Sequence, residues 1–268
     1  MPRFVLIAAT LLALSAPDAT AQEIPSSIAF PGSFWISAGD VAPAERGNTL
    51  GQVAFEQGIT VWERGSWFVV PHIGVSLMAD SYGYAWNNRT PSRVALKIVK
   101  RIPGGMVQAG GGMMFERNTE SDEQLHPTAA VDYWSGWAAE GRAQRGASFG
   151  GFPGYAWASS GLIAGRDPHN WITTAAAQQG LVAFRSQIVS VVPYAAGAVS
   201  FDSKGRPWEN RASYDAGVKL VRPLVGGMVE TGVAARRQHE LLTGEVHFAP
   251  VVYVNMWIGW NPRSLFNR

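Results

Sequence analysis

Residues 66–89 read SWFVVPHIGVSLMADSYGYAWNNR, and residues 188–211 read IVSVVPYAAGAVSFDSKGRPWENR. The two stretches share V-V-P near one end and D-S-x-G-x-x-W-x-N-R at the other, at the same spacing. An apolar run that leads into a loop motif is therefore written twice. Such duplication indicates that the fold consists of two copies of one unit.

The repeat extends outward from these stretches at a constant offset of 122 positions. Residues 30–117 align with residues 152–239 without a gap, and 27 of the 88 positions are identical. One inserted residue later, the match continues from Pro127–Trp137 to Pro250–Trp260. Two copies are too few for a solenoid, so we interpret them as two halves of one closed domain.

The N terminus has the features of a secretory signal. A short basic start is followed by an apolar stretch from Phe4 to Leu14, and Ala19-Thr20-Ala21 fits an A-x-A cleavage site before Gln22. No later stretch has about 18 consecutive apolar residues, so no transmembrane helix is predicted. The expected segments are a signal peptide (1–21), a short periplasmic segment (22–29), a first half-barrel (30–140), a connection (141–151) and a second half-barrel (152–268).

The composition excludes several classes of protein. The formal net charge is only +2, which gives no reason to expect a nucleic-acid partner, and secretion argues against one as well. The chain has no cysteine, so it contains neither a disulfide framework nor a thiolate metal site. The composition alone fits a soluble secreted β protein equally well.

Each half divides into six strand-like runs of about 9–15 residues, longer than the strands of most globular sheets. Runs of about ten residues with alternating polarity are typical of transmembrane barrel strands. We therefore predict an all-β protein, an antiparallel transmembrane β-barrel of about 12 strands built from two tandem six-strand repeats. A secreted sandwich or propeller is the alternative. The predicted runs lie at 33–41, 48–62, 66–79, 90–102, 105–117, 128–139, 155–163, 170–184, 188–201, 212–224, 227–239 and 251–261.

The strands have one apolar and one polar face. In the fourth run Val94, Leu96 and Ile98 oppose Arg93 and Lys97. No long helix follows that could cover the apolar face, so lipid is its simplest cover and the polar face turns into a lumen. We predict that the following side chains line the lumen: Glu56, His72, Arg93, Lys97, Glu116, Asp132, Trp134, Tyr194, Asp215, Lys219, Glu230, Arg236, Asn255 and Trp257.

The connections alternate between short turns and longer loops. Short turns are typical of the periplasmic side and long loops of the outside, which places both termini in the periplasm. The predicted location is the outer membrane of a Gram-negative bacterium, with outer-membrane lipid as the surrounding partner. Gln57 and Gln179 do not fit, because they fall on the apolar face. A bulge at Gly58 or Gly180 would reverse their parity.

The repeated loop motif admits two interpretations. Paired tryptophans with Asp and Asn at the outer rim suit sugar binding by stacking and hydrogen bonding. Alternatively, Asp and Gly form a turn and Trp anchors the loop at the membrane interface. The residues concerned are Asp80, Trp86, Asn88 and Arg89 in the first half, and Asp202, Trp208, Asn210 and Arg211 in the second.

The pattern Q-G-hydrophobic run, P, D-x-x-G-x-x-W-x-N, at residues 57–88 and 179–210, resembles the C-terminal barrel of phage-adsorption outer-membrane proteins. It is also similar to the barrel domains of exopolysaccharide-export systems. The resemblance implies a non-enzymatic channel or surface receptor that serves exopolysaccharide secretion, with polysaccharide as solute. Members often carry a long periplasmic helical-repeat scaffold. Only residues 22–29 precede the first repeat here, so a separate export scaffold is expected as a partner.

Two further functions remain open. A plugged structural or adhesin barrel fits lumen charges that pair with one another rather than with a solute. A lipid-modifying enzyme would use His72 with Ser76 and either Glu56 or Asp80. No metal-ligand spacing, phosphate loop or nucleophile elbow is present, so no catalytic residue, metal or cofactor is predicted.

Overall fold

The computed structural model describes residues 31–40, 47–84, 87–118, 124–137, 151–163, 170–206 and 209–260. The predicted signal peptide at 1–21 and the segment at 22–29 lie outside these ranges, as does the 141–151 connection apart from Gly151. Within the described ranges, no helix is long and apolar enough to cross a membrane.

The described chain consists of strands joined by turns, as the alternating pattern predicts. Their bounds are β1 (Gly32–Asp40), β2 (Thr49–Gly58), β3 (Trp62–Arg64), β4 (Trp67–Asp80), β5 (Arg89–Ile102), β6 (Gly105–Asn118), β7 (Gln124–Trp137), β8 (Gly154–Ile163), β9 (Asn170–Gly180), β10 (Phe184–Arg185), β11 (Ser190–Asp202), β12 (Arg211–Leu224), β13 (Gly227–Glu240) and β14 (Val246–Trp260).

The strands close into a single antiparallel barrel. Each long strand pairs with the next long strand in sequence, so that β2 pairs with β4 and β9 with β11, and β14 returns to pair with β1. The short strands β3 and β10 continue β2 and β9 along the same partners, β4 and β11. If β2 with β3 and β9 with β10 are each counted as one interrupted strand, the barrel has twelve strands. This confirms the predicted fold class. Among the described strands, closure leaves no open sheet edge, as a barrel in hydrocarbon requires.

Alternation along each strand separates an outer and an inner face. On β5, Val94, Leu96 and Ile98 are half or more exposed, at 61%, 53% and 50%, whereas Ala95 and Lys97 between them are each 8% exposed. Large apolar side chains on the other strands are exposed in the same way, Val75 and Val252 among them. The outer surface is thus apolar and the polar side chains point inward, the arrangement of a transmembrane barrel.

The two ends of the barrel differ. At one end, here called the short-turn end, tight turns at Gly65, Gly104 and Gly226 use glycine in the left-handed region, with φ of 59°, 73° and 76°. The first described residue of β1 and the last of β14 pair with each other at this end. The opposite end, the loop end, carries the longer connections. Two loops are shorter than predicted, because β7 begins at Gln124 and β14 at Val246.

Gln57 stays on the outer face. The pairing with β4 slips by one residue only beyond Gly58, where Trp62 lies opposite Val69, so a bulge at Gly58 does not reverse the parity of Gln57. β2 keeps a continuous register with β4 from Leu50 through Gly58, opposite His72. The Gln57 amide instead finds polar partners at the short-turn end. Its Nε2 donates to the carbonyls of Gly58 (2.8 Å) and Pro31 (3.3 Å).

The side-chain oxygen of Gln57 accepts a hydrogen bond across the closing seam, the β14–β1 pairing that closes the barrel. Trp260 Nε1, on the last strand β14, donates to Gln57 Oε1 at 3.1 Å. The two side chains meet above Gly32, because β1 lies between β14 and β2. The other junction of the halves repeats this contact, with Trp137 Nε1 donating to Gln179 Oε1 at 3.0 Å. We call each contact a Gln–Trp clasp. Because both the N–H and the C=O group of each side-chain amide have hydrogen-bond partners, glutamine is tolerated at a lipid-facing position.

Glycine beneath each clasp is required by space. A Cβ on Gly32 would lie 2.4 Å from Trp260 Nε1, and one on Gly154 would lie 2.5 Å from Trp137 Nε1. The repeated Phe-Pro-Gly sequence at each half's first strand therefore creates the gap into which the indole fits.

Candidate functional site in the barrel lumen

The predicted lumen residues occupy the inward face of their strands. Glu56 lies opposite Gly74 and Arg93 opposite the same residue from the other side, which places both side chains inside the barrel. The same alternation places all fourteen predicted side chains on the lumen face. The lumen divides into a tryptophan layer, two charged clusters and a cavity.

A layer of four inward tryptophans lies near the short-turn end. Trp35 on β1 pairs in register with Trp257 on β14, and Trp134 on β7 pairs with Trp157 on β8. The two pairs sit at the two junctions between the halves, where the repeat places them symmetrically. We call these four residues the tryptophan collar. Trp134 and Trp257 are 43% and 47% exposed, so their rings face open space rather than a packed core.

In the first half of the lumen, Glu56 is the centre of a charged cluster. Arg93 Nη2 donates to Glu56 Oε1 at 2.9 Å, His72 Nε2 lies 3.3 Å from Oε2, and Lys97 Nζ lies 3.9 Å from Oε2. The side chains of Glu56 and Arg93 are 39% and 33% exposed. Water therefore reaches this side of the lumen.

In the second half, the lumen carries two tighter ion pairs. Arg236 donates from Nε and Nη2 to the two carboxylate oxygens of Asp215, both at 2.8 Å. Lys219 Nζ lies 2.6 Å from Glu230 Oε2, and Asn255 Nδ2 donates to Glu230 Oε1 at 3.0 Å. Bidentate and multiply hydrogen-bonded pairs of this kind are the strong ones.

Two further predicted lumen residues are also paired. Asp132 accepts hydrogen bonds from Gln108 Nε2 (2.9 Å) and Ser159 Oγ (2.6 Å). Glu116 lies 3.4 Å from Arg89 Nη1 towards the loop end. The lumen thus presents closely spaced charges of both signs with little net excess, which suits a polar solute better than a single ion.

The second half of the lumen contains a cavity of about 380 Å³. Tyr155 and Trp157 line one side, and the Asp215–Arg236 pair lines another. Tyr194 and Val251 also line the cavity, and together with Ala234 they form a buried apolar cluster. Tyr253 packs against this cluster, with its ring edge to face with Tyr194 at 6.3 Å. One wall of the lumen is therefore packed, while the wall around Glu56 is solvated.

Sequence reasoning missed several lumen residues. Trp35 and Trp157 belong to the repeated F-P-G-x-x-W motif, and their pairing with predicted lumen residues would have revealed them. Tyr155 and Gln178 have no counterpart of the same type in the first half. No signal in the sequence marks them.

The repeated loop motif forms a hydrogen-bonded cap at the loop end. Asp80 accepts from the side-chain amides of Asn48 (2.9 Å), Asn87 (2.8 Å) and Asn88 (2.7 Å), and from Tyr84 N (3.0 Å). Desolvation raises the pKa of Asp80, but these four hydrogen bonds outweigh it and lower the pKa to about 2.

The second copy repeats this cap. Asp202 accepts from Asn170 (3.2 Å), Asn210 (2.7 Å) and the backbone N of Arg206 (2.8 Å). The described polar residues of the motif are thus engaged within the loops, which favours the structural interpretation for them. Trp86 and Trp208 lie outside the described residues, so their proposed contact with sugar stays a prediction.

The two arginines of the motif differ. Arg89 contacts Glu116, as above, whereas Arg211 lines the cavity at the loop end. Both belong to the lumen rather than to the outer rim.

The residues of the lipid-enzyme hypothesis are not assembled into a catalytic triad. His72 contacts Glu56, but Ser76 makes no side-chain hydrogen bond within the described part of the chain. Asp80 is engaged in the cap. A nucleophile activated by an adjacent base is the feature that hydrolysis requires.

Comparison with known proteins gives likenesses of overall shape. No family model matches the chain, and no curated protein matches it. The structure is similar to the COG4313 outer membrane channel from Pseudomonas putida F1 (6% identity, TM-score 0.47), covering 91% of this chain and 99% of that one. It is also similar to the β domain of the Bordetella autotransporter BrkA (12% identity, TM-score 0.42), covering 86% and 98% respectively.

A third likeness is to the outer membrane channel DcaP of Acinetobacter baumannii, with 8% identity and a TM-score of 0.34 over 87% of this chain and 95% of that one. Likenesses of this size carry no functional weight. The fold assignment rests on the strand pairings and the two faces of this chain itself.

Proposed function

We propose that this protein is a non-enzymatic outer-membrane β-barrel whose lumen binds and conducts polar, sugar-like solutes in the service of exopolysaccharide secretion. The observation that carries the proposal is the tryptophan collar at the entrance to a lumen of paired charges. Exposed indoles are amphipathic platforms with an apolar face, which suits the C–H faces of sugar rings. The paired Asp, Glu, Arg and Asn groups beyond them suit hydroxyl groups.

The apolar exterior supports the membrane part of this proposal. Exposure of the Val94, Leu96 and Ile98 side chains to water is unfavourable in free energy, and contact with lipid removes this unfavourable term. With the short-turn end in the periplasm, the collar faces the compartment from which a secreted polymer arrives. The polymer and the separate export scaffold follow from the motif resemblance.

Liposome swelling tests solute passage. Purified protein should admit neutral mono- and disaccharides, and replacing both Trp35 and Trp257 by alanine should change the relative rates for sugars more than the rate for a small amino acid. Trp67→Ala is the matched control, because Trp67 lies on the outward-facing register of β4. Equal effects of the collar and control variants would contradict a sugar-binding collar.

Deletion of the gene tests the physiological assignment. Loss of surface polysaccharide, restored by the wild-type chain but not by the collar variant, is the expected result. Unchanged polysaccharide in the deletion strain would rule out the secretion role while leaving the solute channel intact.

A closed structural or adhesin barrel is the second candidate. The cluster of Tyr194, Ala234 and Val251 favours it, because these side chains are packed together and are at most 7% exposed. It predicts no sugar flux from a folded, inserted protein.

A further inference from the structure

We propose that Glu240, Glu245 and His247 form a binding site for a divalent transition-metal ion of the zinc class. The three residues lie in the β13–β14 hairpin at the loop end: Glu240 ends β13, and His247 is the second residue of β14. Glu240 Oε1 lies 3.5 Å and Glu245 Oε2 3.6 Å from His247 Nε2. All three ligand atoms lie within 4.8 Å of one another.

The two distances to His247 match those between neighbouring ligands around one tetrahedral metal ion. Zinc binds imidazole nitrogen and carboxylate oxygen at about 2.0–2.2 Å, which sets neighbouring ligand atoms roughly 3.3–3.6 Å apart. The two distances to His247 therefore need almost no adjustment. Three protein ligands leave a fourth position for water or an external group, as in zinc sites that stay open.

Local hydrogen bonds hold the hairpin in the conformation that brings these ligands together. The backbone N of Glu240 donates to the carbonyl of Glu245 (2.9 Å), and Gly244 N donates to the carbonyl of Glu240 (2.8 Å). Gly244 has φ of 78°, which glycine adopts without strain. The hydroxyl of Thr243 donates to Glu240 Oε2 at 3.2 Å, so the carboxylate is oriented by a group outside the ligand set.

The cluster contains two carboxylates and one imidazole. Arg211 on β12 lies in register with Glu240, but among the described residues neither carboxylate forms an ion pair with Lys or Arg. His247 Nε2 is itself buried and makes no hydrogen bond there. A buried nitrogen without a hydrogen bond, aimed at two carboxylates, is what a metal ion would satisfy.

The mixed donor set defines the class of ion. Calcium and magnesium prefer oxygen ligands only, and calcium takes six to eight of them. Imidazole with carboxylate suits zinc and its neighbours in the first transition row. The sequence predicts no metal site, because the spacing of these three residues matches no familiar motif and the hairpin geometry alone assembles them.

The first half of the chain provides a natural comparison. Asn118 aligns with Glu240 at the offset of 122, and Gln124 aligns with His247 after the inserted residue. The first half therefore lacks the counterparts of the Glu240 carboxylate and the His247 imidazole.

Cobalt(II) titration of the purified, tag-free barrel tests the proposal. Tetrahedral binding should give one saturable equivalent of visible absorption that zinc displaces. His247→Gln, which installs the residue of the first half, should weaken binding at least tenfold. His239→Gln on the same hairpin should leave it unchanged. Heat-modifiable migration on gels verifies that each variant is folded.

Glu245→Gln provides a second variant, because Glu245 is 64% exposed and its replacement should leave folding intact. It should also weaken cobalt binding at least tenfold. The proposal is overturned if the folded protein shows no saturable binding, or if His239→Gln lowers the affinity as much as His247→Gln.

Discussion

Replacing Glu230 by glutamine should destabilise the barrel by about 3 kcal/mol, because it leaves the ammonium of Lys219 buried without a counterion. The two groups are 2.6 Å apart, and their side chains are only 8% and 11% exposed. Breaking one partner of such a pair typically costs about 3–5 kcal/mol, since the remaining charge cannot regain its hydration. The isosteric glutamine keeps a hydrogen-bond acceptor, which places the expected cost at the lower end.

Other contacts do not replace the lost carboxylate. Lys219 Nζ lies 5.6 Å from the centroid of the Tyr194 ring, and a cation–π contact contributes about 1 kcal/mol. Lys219→Met should likewise cost about 3 kcal/mol, because it leaves Glu230 with Asn255 as its hydrogen-bond donor. The double variant removes both charges and should cost less than either single change, since a buried pair is nearly neutral against apolar groups of similar shape.

Reversible urea unfolding of the protein in phospholipid vesicles measures these free energies. Because each single variant costs about 3 kcal/mol and the double variant costs less than either, the double-mutant cycle should give a coupling of more than about 3 kcal/mol. Glu63→Gln, at an exposed position of β3, should change stability by less than about 0.5 kcal/mol and serves as the control. A cost below 1 kcal/mol for Glu230→Gln, or a coupling near zero, would show that water reaches the pair and would refute the buried wall of the lumen.

The remaining predictions concern the seam and the loop cap. Gly32→Ala should reduce the yield of heat-resistant barrel on gels and cost about 1–3 kcal/mol, because its Cβ would meet Trp260 Nε1 at 2.4 Å. Gly51→Ala, whose Cβ meets nothing closer than 3.8 Å, should be near neutral; equal losses would disprove the fitted seam. Trp260→Phe should cost about 1 kcal/mol in urea unfolding by leaving the oxygen of Gln57 without its donor, and no loss would contradict the clasp. The lowered pKa of Asp80 means that its contribution to stability is complete above about pH 4 and is lost as the pH falls through about 2. A ¹³C carboxyl titration with a midpoint near 4 would contradict the cap.

The barrel itself was predictable, because period-two alternation and the duplication constrain the same strands twice. Val94, Leu96 and Ile98 against Arg93 and Lys97 were enough to assign the two faces. The duplication also predicted the number of barrel strands, since six runs in one half had to recur in the other. Strand ends were harder to place: β7 begins at Gln124, whereas the predicted run begins at residue 128.

The pairing inside the lumen was not predictable. Alternation places Asp215, Lys219, Glu230 and Arg236 on one face, but the register between strands decides which carboxylate meets which cation. The same limit applied to Gln57: its parity was read correctly, but its partner Trp260 lies 203 positions away in sequence. Only the β14–β1 pairing that closes the barrel brings Gln57 and Trp260 together.

Single-channel recording of the purified protein in a planar bilayer tests the conducting lumen most directly. The expected result is small, steady current steps carried through the solvated side around Glu56 and Arg93. Asp215→Asn should shift the selectivity towards anions by leaving Arg236 without its partner. Silence from a protein shown to be folded and inserted would contradict the proposed channel, and so would an unaltered selectivity in the variant.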